Sequence, residues 1–172
     1  MKTYSSKMKK TILFKTLVDI LYALQVIGFI AVLFMIPFGL VNITNENVSA
    51  EEWDLFYWLV FTVTLVKSLV FLRGLYFLRR MARILLSDKY FSGNIIRYLR
   101  KSANHFLLAS LISFALIFTQ WIGKMVNGKI ELGYDQEILV PLFLAIIGIF
   151  FIIQSGTLDL AKSLKEENEL TV

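Results

Sequence analysis

The sequence predicts an all-α fold: an integral membrane four-helix bundle with N-terminus and C-terminus cytoplasmic, and a helical cytoplasmic hairpin between spans 2 and 3. Three observations carry that expectation. Hydrophobic residues make up 57% of the 172 and the mean hydropathy is +0.67, more apolar side chain than a soluble core of this size hides. The apolar residues gather into four runs long enough to cross a bilayer. Outside those runs, fourteen Lys and Arg fall in the N-terminal stretch, the central connector and the tail, against two in the other loops. An excess of cations marks the cytoplasmic side.

The first run, about residues 17–40, follows a start that carries Lys2, Lys7, Lys9, Lys10 and Lys15 without an acid. Its 24 residues would span about 36 Å as a helix, and no small-residue cleavage pattern closes it, so it reads as an uncleaved span. The loop Asn42–Asp54 holds four acids and no Lys or Arg, which puts it on the opposite side. Ser49 with Glu51 and Glu52 offers a helix cap there, and Asn42 and Asn47 match glycosylation acceptors but read as turn residues.

The second span covers about 55–78, and its helical pattern continues through Arg79, Arg80, Arg83 and Leu85 until Ser87 to Ser92 break it. From Gly93, the residues Ile95, Ile96, Leu99, Ala103 and Phe106 share one helical face while Arg97, Arg100, Lys101 and Asn104 share another. This cytoplasmic amphipathic connector, 79–105, is expected to lie among the headgroups before entering the third span. That span covers about 106–125 and the fourth about 138–160; residues 161–172 form an acidic tail. Glu166, Glu167 and Glu169 are expected past the helix end, as solvated acids or against Arg97, Arg100 or Lys101. The fourth span also carries a stripe of small residues, Pro141, Ala145, Gly148, Ile152, Ser155 and Asp159, which favours close helix approach.

The chemistry available is narrow. Cys is absent and His105 is the single His, which leaves neither a thiolate nor a His-based metal cluster. No nucleophile triad, paired-carboxylate cleft or phosphate-cradling loop is present, so the expectation is no enzyme, no cofactor and no metal. The net charge of +5 is spread over span ends, a placement suited to anionic headgroups and not to direct nucleic-acid binding.

The intramembrane polar residues are Lys67, Arg73, Asp19, Asp159, Gln25 and Gln154. Lys67 lies near the middle of span 2, where a charge costs about 2.5–3.5 kcal/mol on insertion scales and must face the protein interior or a wet cavity. Depth along the helices favours Arg73 as the ion-pair partner of Asp19 or Asp159, leaving Lys67 to Gln25, Gln154, Ser113 or carbonyls. The cations Arg79, Arg80, Arg83, Arg97, Arg100 and Lys101, with the tail acids, form the candidate surface for lipid or a protein partner.

Two stretches also carry a family resemblance. Asp88-Lys-Tyr-Phe-Ser92, followed by Ile96, Leu99 and Arg100, and the ending Leu164-Lys-Glu-Glu-Asn-Glu-Leu-Thr-Val172 resemble the bacterial membrane-protein family called domain of unknown function 2975. The resemblance implies a four-span protein of the bacterial inner membrane with no assigned catalytic residues, often encoded beside a helix-turn-helix regulator. Two functions follow as expectations: a regulatory or sensor partner acting through connector and tail, or a small oligomeric channel or transporter with Lys67 in its path.

Overall fold

The computed structural model describes residues 2–35, 38, 55–86, 92–126 and 138–170. They form helices α1 (Lys2–Met35), α2 (Leu55–Leu85), α3 (Gly93–Val126) and α4 (Leu139–Leu170). All four are long and apolar enough to cross a membrane. The shortest has 31 residues, about 46 Å, so each exceeds the roughly 30 Å hydrocarbon layer. The Asn42–Asp54 loop, with its cap and acceptor motifs, lies outside the described residues.

Local chemistry explains the helix ends. α2 stops at Leu85, where Leu86 N–H turns back to the Arg83 carbonyl at 3.3 Å. Ser92 then caps α3: its hydroxyl accepts from Asn94 N–H at 3.3 Å and its carbonyl from Ile95 N–H at 2.9 Å. Nothing between Gly93 and Val126 interrupts the helix, so connector and third span form one 34-residue rod. α1 likewise starts at Lys2, well before the apolar run, because no Gly or Pro stands in its lysine-rich opening.

The helices run antiparallel and pack in chain order, α1 on α2, α2 on α3 and α3 on α4; among the described residues no other pair packs together. The expected compact bundle is thus an open row. In lipid no solvent drives the outer helices to close on each other, so only faces with specific fit associate.

The fit concentrates at the basic end. Ile95, Ile96, Leu99, Ala103 and Phe106 are all buried, as are Leu75, Leu78, Met81 and Ala82 of α2. The apolar face read from the sequence is real, but it packs on neighbouring helices instead of resting among headgroups. Two glycines set the spacing. A Cβ on Gly74 would lie 2.7 Å from the Phe106 ring, and one on Gly148 would lie 2.7 Å from Leu107 Cγ. Beside them, Ser102 donates to the Gly74 carbonyl at 2.9 Å and Ser110 to the Pro141 carbonyl at 2.7 Å, both buried. α3 is therefore fastened to both flanking helices through small residues and hydroxyls, the pattern by which helices associate without a hydrophobic drive.

Candidate functional site

The polar side chains of the spans fall into four places, and the registers of the helix pairs decide which meet. Asp19 of α1 is the centre of the first. Arg79 Nε donates to Asp19 Oδ1 at 2.5 Å, Lys15 Nζ stands 3.4 Å from Oδ2, and Arg83 lies at 3.9 Å. The Arg79 guanidinium also sits 4.9 Å from the centre of the Tyr22 ring, a favourable cation–π geometry.

Arg73 is thus not the partner of Asp19. The pairing of Asp19 with Arg79 in antiparallel helices puts Gln25, six residues further along α1, level with Arg73. The register of α1 on α2, and not the position of Asp19 within its own apolar run, decides the pairing.

Lys67 belongs to the second place, a cavity of about 310 Å³ between α2, α3 and α4. Thr64, Ser113 and Gln120 line it with Lys67, closed on one side by Pro141. Ser113 was among the expected neighbours; Gln25 and Gln154 are not in its lining. Gln120 could have been chosen from the sequence, since it shares a helical stripe with Ser113 at seven residues' spacing. Ser68 and Ser113 return their hydroxyls to the carbonyls of Thr64 and Ala109, each at 2.9 Å, which satisfies those donors within their own helices.

The third place is a groove of about 930 Å³ over α2, flanked by α1 and α3. It exists because α1 and α3 do not pack together. Arg73, Lys101 and His105 line it near the basic end, with Tyr22 and Tyr76, and Leu69, Val70 and Leu108 line the other end. No local pattern foretells this convergence: Arg73 belongs to α2, and Lys101 and His105 to α3, 28 residues or more downstream.

The fourth place lies between α3 and α4. Asp159 lines a cavity of about 320 Å³ with Arg97, Arg100, Lys101 and Asn104. It sits among these cations rather than with Arg73. The tail acids are elsewhere: α4 runs through to Leu170, and Glu166 and Glu169 pair at 3.5 Å with Lys162 and Lys165 of the same helix. The acids expected past the helix end thus lie within it, and the expected contact with Arg97, Arg100 or Lys101 gives way to i,i+4 pairing, which the Lys-x-x-x-Glu spacing permits. Arg80 stays local, donating to Tyr76 Oη at 3.1 Å.

Among the described residues no group of His, Asp and Glu has the arrangement of a metal site. Chemically, the four places offer cation–anion contacts and hydroxyl-lined space. Comparison with curated proteins and with solved structures finds no match. The family profile described as "Protein of unknown function (DUF2975)" matches residues 40–172, which takes in α2, α3 and α4, and the chain belongs to that family.

Proposed function

We propose that the chain is a non-enzymatic, multi-pass protein of the bacterial inner membrane, oriented with its basic end in the cytoplasm. There it acts as a regulatory or sensor partner of a soluble protein, with a helix-turn-helix regulator as first candidate. One observation carries the reading: helical extensions of opposite charge leave the same end of the row. α1 projects below the end of α2 with Lys9 and Lys10 exposed, and α4 projects beyond the start of α3 with Glu166, Glu167 and Glu169 exposed. Between them stand the exposed Arg97, Arg100 and Lys101. Ordered, charged helix turns outside an apolar layer suit a soluble partner with its own mixed charge.

Orientation is tested with single cysteines, since the chain has none. A cysteine at Ser163 should resist a membrane-impermeant maleimide added to intact cells, while one at Asn127 should react. The partner is tested by two-hybrid pairing of the full chain with the soluble products of its neighbouring genes, any helix-turn-helix protein among them first. Reversing Glu166, Glu167 and Glu169 to Lys should abolish the signal, and an unchanged signal removes the tail from the proposal.

A second reading rests on the Lys67 cavity. A cation, two hydroxyls and an amide around about 310 Å³ could form part of an ion path completed by further copies of the chain. Reconstituted protein should then pass ions at a rate that Lys67→Met changes. Absence of flux from both proteins eliminates this reading.

A further inference from the structure

We propose that the groove over α2 is a binding site for one anionic phospholipid, held with its phosphate between Arg73, Lys101 and His105 and an acyl chain along Leu69, Val70 and Leu108. The groove is graded in charge. In the antiparallel register of α2 and α3, Leu69 and Leu108 share the level furthest from the basic end, Arg73 and His105 come next, and Lys101, which lies 5.4 Å from the Phe77 ring centre, comes last. The gradient runs for about eight residues of α2, roughly 12 Å. An amphipathic anion lying parallel to the helices, head toward the basic end, matches it; this is how a lipid of that leaflet already lies.

The polar groups are arranged to receive an acceptor. No carboxylate lines the groove among the described residues; Asp19 of α1 is engaged by Arg79 and Lys15, and Asp159 of α4 lines the neighbouring cavity that Lys101 also borders, shared there with Arg97 and Arg100. His105 Nδ1 stands 2.7 Å from the Lys101 carbonyl, so that nitrogen carries a proton, and Nε2 donates to a phosphate oxygen only in the imidazolium form that a bound anion favours. Tyr76 Oη accepts from Arg80, which leaves its own proton to donate. Arg73 lies five residues inside the end of the apolar run, where a guanidinium is favoured only by snorkelling or by an anion brought to it. A second copy of the chain fits less well, because it would set further cations against these.

Native mass spectrometry of the full chain, purified in detergent and titrated with dioleoylphosphatidylglycerol or dioleoylphosphatidylcholine, tests the site. The anionic lipid should be retained preferentially. With each cation near a lipid surface contributing about a factor of five, Arg73→Gln with Lys101→Gln should weaken it about twenty-five-fold, and either alone about fivefold. Leu108→Trp fills the apolar end without touching the cations, and should also displace the lipid. Arg97→Gln with Arg100→Gln, outside the groove, should leave binding unchanged. Equal retention of the two lipids overturns the proposal, as does equal weakening by the Arg97/Arg100 pair, which would mean diffuse attraction. Displacement by millimolar inorganic phosphate, or indifference to Leu108→Trp, would assign the cations to a free anion instead. Circular dichroism of each variant verifies that the helices persist.

Discussion

The two halves of the helix row are built on different terms. Toward the basic end, α3 packs on α2 through Leu75, Leu78, Ile95, Leu99 and Phe106 and on α4 beside Gly148, with glycines where the helices come nearest. Toward the other end a cavity opens between them around Lys67, even though Val60 and Phe61 of α2 are buried there and Ser110 bonds the Pro141 carbonyl. Composition does not separate the halves, since both are apolar. Side-chain size does: small residues let α3 approach its neighbours at Gly74 and Gly148, whereas Lys67 and Gln120 demand room. In a bilayer, where burying Leu gains little over leaving it in lipid, that difference in fit decides where helices hold together.

Truncation at the two ends should expose this difference most strongly. Phe106 is 3% exposed and packs its ring 5.6 Å from Phe71 and 6.0 Å from Phe151, so Phe106→Ala should cost about 3–5 kcal/mol in equilibrium unfolding from mixed micelles. Leu116→Ala, beside the existing cavity, should cost about 2 kcal/mol, at the low end for such truncations. A loss at Leu116 as large as that at Phe106 would break the comparison.

Overpacking is the next largest effect. Gly148→Val places methyl groups where Leu107 and the Ala103 carbonyl already stand, and should destabilise by about 1–3 kcal/mol in the same measurement. Gly156 of the same helix has open space around its Cα; Gly156→Ala should stabilise by about 0.5–1 kcal/mol through helix propensity. Opposite signs along one helix would locate the tight contact on its inner face.

Smaller still is the ionic link of α1. Asp19→Asn should weaken α1 docking by about 1 kcal/mol, because the Asp19 and Arg79 side chains are 24% and 32% exposed and partly screened. Combining it with Arg79→Gln should cost less than the sum of the two, since each removes the same contact. Least of all, Glu166→Gln at the exposed end of α4 should change helicity by only about 0.3–0.5 kcal/mol, read by circular dichroism at low and high salt.

What could be read from the sequence follows the same division. The ends of α2 and α3 were legible, because Arg83 to Ser92 changes from periodic apolar to capping and turn residues. The buried face Ile95, Ile96, Leu99, Ala103 and Phe106 was legible from its spacing. Its partner was not: periodicity defines a face, and headgroups, lipid or another helix satisfy it equally. Ion pairing failed for a related reason. The register of α1 on α2 is set by packing around Val18 and Leu75, and no local pattern reports that Asp19 stands beside Arg79 rather than Arg73. In the tail the signal was present and outweighed. Lys162–Glu166 and Lys165–Glu169 are spaced for intrahelical pairs, yet their net acidity suggested solvated coil. The open row was invisible, since adjacency of helices is a property of pairs and each run looks alike alone.

Serial packing also bears on how the molecule is made. Each helix needs only its predecessor as a docking surface, so α2 finds α1, α3 finds α2 and α4 finds α3 in the order in which they leave the ribosome. Among the described residues no helix packs on one that is not its neighbour in the chain, and the separation in sequence between interacting segments stays short, a topology that favours rapid assembly. Such a topology lets the interior be completed one interface at a time, and the α2–α3 interface is the one in which Gly74, Ser102 and Phe106 come together.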